Sequence, residues 1–269
     1  MAPSKHAFAR RTVDELTIED ERSFRHVALY GDLKEILSRA KYPFRVLEGA
    51  LDGRADRALL LNLTFWGPEA GGDVLDTATL PADVVAHAAW HHLAVRALPA
   101  APGVGPSVDS LFLGEAIASA FDVYLVGRLL GHAPSSTFLE TQVPAMADAA
   151  DAAGLDEDGF EEMLEGIAAD PERAFADLRE LLFDATCALF ACRTVEDASL
   201  ALALHDKHRF APLLHRYELS NWVLYARAYG SPERDDRVRA IDTTLRTVEL
   251  SLDWLAREWV APSLARDGS

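Results

Sequence analysis

His87 and His91 stand four residues apart in the run Val84-Val85-Ala86-His87-Ala88-Ala89-Trp90-His91-His92-Leu93. On an α-helix that spacing stacks two imidazoles one turn apart on one face. Both can then reach a single cation, because Zn–N bonds of about 2.0–2.1 Å demand convergence. The apolar residues ahead of the pair predict a buried helix, and burial favours the neutral imidazole that a metal ligand must be. A catalytic metal also needs a third ligand. Glu115 is the candidate, in the segment Phe112-Leu113-Gly114-Glu115-Ala116-Ile117-Ala118-Ser119-Ala120-Phe121-Asp122. A lone carboxylate on so apolar a helix is costly to bury unless it meets a cation or hydrogen-bond donors. Ser119 and Asp122 follow one and two turns later on the same face, where either could orient a ligating imidazole from behind. A plainer reading of the same residues is a satisfied polar network in the core of a helical interaction protein, with Glu115 met by Arg96 or Arg128.

Other clusters carry weaker signals. His205 and His208 in Leu204-His205-Asp206-Lys207-His208, with His215 further on, have helix-face spacing, but Pro212 interrupts the helix before His215. Asp206, Lys207 and Arg209 around them suit a solvated face. His92 lies one residue off the ligand face and reads as a boundary residue. A helical iron or manganese enzyme with carboxylate and histidine ligands is a third reading, and it ranks last because the Glu-x-x-His motif such sites use on two helices is absent. Gly103 and Gly105 sit in a proline-rich segment with no Lys-Ser/Thr after them, so no phosphate loop is formed there. Cys187 and Cys192 lie five apart in an apolar helical run and read as two buried thiols.

The elements that must position these residues are mostly helices. Leu80-Pro81-Ala82-Asp83 opens a helix running to about Leu98, with proline at the first turn as its fixed φ allows. Residues 99–106 form a loop that lets the next helix fold back antiparallel. That helix runs from an N-cap at Ser107 to about Leu130 and stops at Gly131. Further helices are predicted near 142–153, 157–169, 172–192, 195–210, 213–229 and 233–260, with Asp170-Pro171-Glu172 as a stop and restart. Ahead of residue 81, Arg22 to Ala40 fits one helix or two short ones, and Arg57 to Trp66 (RALLLNLTFW) is the best strand candidate. The expected fold class is mostly α (α+β): a small N-terminal lobe with few strands packed on a multi-helix body. Residues 1–20 read as a polar tail, 21–80 as the small lobe and 81–269 as the helical body, the last two forming one continuous domain.

Composition bounds the partners. The 269 residues are 49% hydrophobic with a mean hydropathy of 0.00, enough for a sizeable core and too apolar for disorder. A formal charge of −17 repels phosphate backbones, and the Arg10-Arg11 pair is no basic patch, so nucleic acid is not an expected partner. Met1 to Arg11 lacks the apolar run of a secretory signal, and no apolar stretch is expected to reach the ~20 residues that span a bilayer. The expectation is a cytoplasmic protein with no membrane partner. Its oligomeric state is left open.

Taken together, the two chemical segments resemble the gluzincin zinc metallopeptidases, the group of thermolysin-like proteases and related aminopeptidases. Their first helix reads V-x-A-H-E-x-x-H, and Val84-Val85-Ala86-His87-Ala88-Ala89-Trp90-His91 follows it except at Ala88. Their second carries L-N-E-x-x-A-S-x-F, followed closely by Leu113-Gly114-Glu115-Ala116-Ile117-Ala118-Ser119-Ala120-Phe121. Glu115 comes 24 residues after His91, within that group's range. The resemblance implies a zincin-like helix pair, zinc as cofactor, His87, His91 and Glu115 as its ligands, and a peptide or protein ligand. It also implies an edge strand lining the cleft at 57–66, position 88 facing the open coordination position, and a transition-state donor from a later helix, for which His215 or Tyr217 stands in the right chain order. The family's general base is the glutamate after the first histidine. Alanine cannot move a proton, so the expected protein is either an inactive, peptidase-like binder or a hydrolase whose base has moved to another carboxylate or to His92. The similarity runs from Arg57 to Tyr124 and leaves the C-terminal half unexplained.

Overall fold

A computed structural model describes residues 8–63, 72–100 and 105–265. The chain is mostly α with a small strand lobe, as expected. In the lobe, β1 (Phe8–Arg11) pairs antiparallel with β3 (Phe44–Leu47), and β3 pairs parallel with β4 (Val74–Leu75). Separately, β2 (Thr17–Glu19) pairs parallel with β5 (Thr79–Pro81). Residues 8–20, expected as a polar tail, therefore join the fold. Val13 and Leu16 are the reason: each is buried in the main core, and one short apolar anchor on either side of a 3₁₀ turn suffices to hold polar strands at an edge.

The lobe also holds α1 (Glu21–Phe24), α2 (Ala28–Arg39) and α3 (Ala55–Leu63). The last corrects the strand expected at 57–66: residues 57–63 are helical, and 64–66 lie outside the described residues. A short continuous apolar run does not separate strand from helix by period. Here Ala, Leu and Arg dominate over β-branched residues, Asp56 sits in the first turn, and no Gly or Pro interrupts, all of which favour helix.

In the body, α4 (Ala82–Ala97) begins after Pro81 and ends at Leu98 before Pro99. The long α5 (Val108–Leu130) is capped by Ser107, whose Oγ accepts the Ser110 N–H at 3.1 Å. It packs chiefly against α4 and α8 (Pro171–Ala191), and also against α7 (Glu157–Ala169). α6 (Thr137–Ala152) runs through Pro144, and α8 restarts on Asp170, whose Oδ1 accepts the Arg173 N–H at 3.0 Å. α9 (Val195–Ala203) is shorter than the expected 195–210. A 3₁₀ segment (Ala211–Tyr217) follows, and Glu218, at φ 44°, turns the chain into α10 (Leu219–Tyr229). The region expected as one helix over 233–260 is broken at Val248–Leu250, giving α11 (Asp236–Thr247) and α12 (Ser251–Leu255). A π-helical turn (Ala256–Val260) then leads into α13 (Ala261–Ala265).

By length and composition α5 is apolar enough to cross a bilayer, with a mean hydropathy of 1.4, which corrects the expectation that no such stretch exists. Of that window, 78% is buried inside the protein. One contiguous core joins Phe24, Leu33 and Phe44 of the lobe to Trp90, Phe121, Phe183 and Leu255 of the body. A charged cluster ties α8 to α11 within it. Arg179, fully buried, donates from Nη1 to Asp242 Oδ1 at 2.6 Å, and Arg246 donates to Asp242 Oδ2 at 2.8 Å and to Asp184 at 2.7 Å.

Candidate metal centre

α4 and α5 run antiparallel, so their residues meet in reverse order: Ala94 faces Gly114, His91 faces Glu115, and His87 faces Asp122. Gly114 sets how close they come. A Cβ added there would stand 3.3 Å from the Ala94 Cβ, tight enough to push the helices apart beside Glu115.

The expected ligands converge. The Nε2 atoms of His87 and His91 are 3.1 Å apart, and His91 Nε2 is 3.6 Å from Glu115 Oε2. One ligand atom from each of the three residues lies within 4.8 Å of the others. Bonds of about 2.0–2.1 Å in tetrahedral geometry place ligand atoms about 3.3 Å apart, so the two printed edges fit one ion. Each of the three side chains is about one-third exposed, which leaves a way in for an ion. This is a group that could hold a metal ion, and among the described residues it is the one such group.

Asp122 stands where a supporting carboxylate should. Its Oδ2 is 3.3 Å from His87 Nδ1, so a proton on Nδ1 leaves Nε2 free for a cation. Its Oδ1 is buried without a hydrogen-bond partner. Ser119 is buried in the same helix and makes no hydrogen bond to either imidazole, so the two expected supports divide.

Burial alone would depress the His87 pKa. The Asp122 carboxylate overrides it, with Glu115 and Asp73 adding to the effect, and the value rises to about 9. This differs from the expectation that burial keeps His87 neutral: Asp122 and Glu115 are expected beside the imidazoles, but that expectation leaves out their combined effect on the proton, and Asp73 arrives only through tertiary packing. Asp83, one turn before His87 on α4, is pushed up to about 6 by burial and by the like charge of Asp122. A cation must displace the proton from His87. Metal uptake at pH 7 should therefore release about one proton, and affinity should rise with pH and level off above about 9. Calorimetry in buffers of different ionisation enthalpy reads that release directly; uptake with no proton released would contradict His87 as a ligand.

Beside the centre lies a cavity of about 770 Å³ with His91, His92, Glu115, Asp73, Arg216 and Tyr217 among its lining residues. Tyr217, expected only from chain order, is therefore in the wall, whereas His215 is exposed and does not line it. The Tyr217 hydroxyl is buried with no hydrogen bond of good geometry, and burial pushes its pKa up. Burial, with Arg96, pushes the His92 pKa down, and its Nε2 is also buried without a partner. Ala88 is buried at 1% exposure and does not line the cavity. His205 and His208 fall in the turns after α9, where His208 Nδ1 accepts the Phe210 N–H at 3.1 Å, so neither has the helical stacking expected. Asp83 was findable, being one turn before His87 on the same face; Asp73 and Arg216 reach the cavity through tertiary packing and had no local signal.

No protein-family model, curated protein or solved structure matches this chain. What fold and site define together is a mostly helical protein with a His-His-Glu group on two antiparallel helices.

Proposed function

We propose that this is a zinc-binding protein of gluzincin-like type in which the usual proton-moving glutamate is missing, acting as a peptidase-like binder. The observation that carries the reading is the meeting of His87, His91 and Glu115 from two helices with Asp122 behind His87. Two imidazoles and one carboxylate suit zinc better than the hard cations, which prefer oxygen. When bound, the ion supplies a Lewis acid that polarises a carbonyl. In this reading Tyr217, which lines the adjoining cavity and whose buried hydroxyl makes no hydrogen bond of good geometry, would donate to the oxygen of that carbonyl. Ala88 leaves no base at the family's position. The test is elemental analysis and titration of the purified protein: about one equivalent of zinc per chain supports the reading, and no uptake of any transition metal defeats it.

A second reading, a metal-free polar network, draws on one observation. His87 lies 3.3 Å from Asp122 and His91 lies 3.6 Å from Glu115, contacts that need no ion. The same titration separates the two.

Hydrolysis of ordinary peptides should be at trace level. Loss of a general base costs about 10²–10⁴-fold, and a buried alanine offers no replacement. Robust, chelator-sensitive cleavage by the unaltered protein would contradict the binder reading and indicate a relocated base.

A further inference from the structure

Arg216 is the cation in the cavity wall, and its situation is unusual in a chain with a net charge of −17. Its guanidinium makes no ion pair among the described residues. A neutral partner holds it: Nη1 donates to the Gln142 carbonyl at 3.2 Å, and Nη2 donates to the Gln142 side-chain oxygen. A neutral tether fixes the direction of the group and leaves its full charge, with N–H donors to spare from the five a guanidinium carries. Tyr42, Leu111, Trp222 and Tyr225 also line the cavity and offer it large apolar and aromatic groups. A volume of about 770 Å³ lies within the ~300–1,000 Å³ of small-ligand sites.

We propose that this cavity takes an acylamino acid carboxylate, meaning an α-carboxylate on Arg216, a large apolar side chain among Tyr42, Leu111, Trp222 and Tyr225, and the adjoining amide carbonyl toward the His87–His91–Glu115 centre. This rests on the proposed function for the last contact alone. A singly charged carboxylate suits the wall better than a phosphate, because Asp73 and Glu218 also line the cavity and repel a second negative charge. Such a group occurs both in N-acylated amino acids and at the C-terminus of a short peptide. Asp73 distinguishes them, since its carboxylate has no ion-pair partner among the described residues and is available to the free ammonium of a dipeptide.

The experiment measures binding of N-acetyl-L-phenylalanine, its uncharged amide and glycyl-L-phenylalanine to metal-free and zinc-treated protein. The acid should bind at least about tenfold more tightly than the amide, the worth of one charge-assisted contact. Arg216→Met should erase that preference while leaving zinc uptake intact, and Arg216→Lys should restore part of it. Melting curves of both variants confirm that the fold persists. A dipeptide that binds better than the N-acetyl compound, with the advantage lost in Asp73→Asn, assigns peptides as the source; the reverse order assigns acylated amino acids. Equal binding of acid and amide, a preference that survives Arg216→Met, or tighter binding of phenyl phosphate would overturn the proposal. The acid-over-amide preference in metal-free protein is independent of zinc. Failure to bind zinc would therefore defeat the proposed function and leave this inference to be decided by its own readout.

Discussion

Replacing His87 or His91 with alanine should abolish zinc uptake at micromolar metal, and with it the thermal stabilisation that zinc confers on the unaltered protein. A ligand that binds only the native state stabilises it by about 2.7 kcal/mol at a concentration of 100 times Kd. The three ligand atoms sit on two helices that already touch through Ala94 and Gly114, so little ordering opposes binding. Removing one imidazole leaves two ligands, too few to hold the ion against water. Asp122→Asn should be milder, roughly 10–100-fold in affinity, because it disturbs only the orientation of His87 and the basicity of its ring. His205→Ala and His208→Ala should leave uptake unchanged. Differential scanning fluorimetry with and without zinc reads the five variants beside the unaltered protein. A His87→Ala variant that keeps the full zinc-induced shift would place the ion elsewhere.

The second large effect lies away from the site. Asp242→Ala should destabilise the protein by about 3–5 kcal/mol, since breaking a buried pair leaves an uncompensated charge in the core. Arg179 is fully buried, and its Nε and Nη2 already lack partners; Asp242 is what makes its burial tolerable. The same change releases Arg246 from one of its carboxylates, though Asp184 and Glu180 still hold it. For a chain of this size such a loss lowers the melting temperature by roughly 10 °C. Arg179→Met combined with Asp242→Leu should recover most of it, because an apolar pair of similar volume needs no solvation. A single Asp242→Ala variant that melts with the unaltered protein would mean that the pair is not holding α8 to α11.

The His-His-Glu group was more legible than the fold around it. His87, His91 and Glu115 stand out by local rules: two imidazoles at helical spacing, and a carboxylate in the apolar middle of the next helix. Their helices have clear starts and stops at Pro81, Pro99, Ser107 and Gly131, so the return of α5 along α4 followed from a short loop. Asp122 as support for His87 followed from the same face count. The misread elements are those where neighbours decide. RALLLNLTFW is a short, mostly apolar run whose period separates helix from strand poorly, and its scarcity of β-branched residues is the signal for helix that the strand expectation overlooks. Val13 and Leu16 look like isolated apolar residues in a polar tail until the core receives them. The pKa of His87 is raised by Asp122 and Glu115, which the face count on α5 brings near it, and also by Asp73, which no spacing rule connects to it. Arg216, Tyr217 and Trp222 enter the cavity from the far end of the chain, and no spacing rule links them to residue 91.

Anomalous diffraction at the zinc absorption edge, from crystals of zinc-treated protein, tests the central claim most directly. The account predicts one strong peak bounded by His87 Nε2, His91 Nε2 and a Glu115 carboxylate oxygen at about 2.0–2.2 Å, with Asp122 still on His87 Nδ1. Zinc-treated crystals with no peak at that point, and with His87 remaining paired to Asp122 and His91 to Glu115, would contradict it.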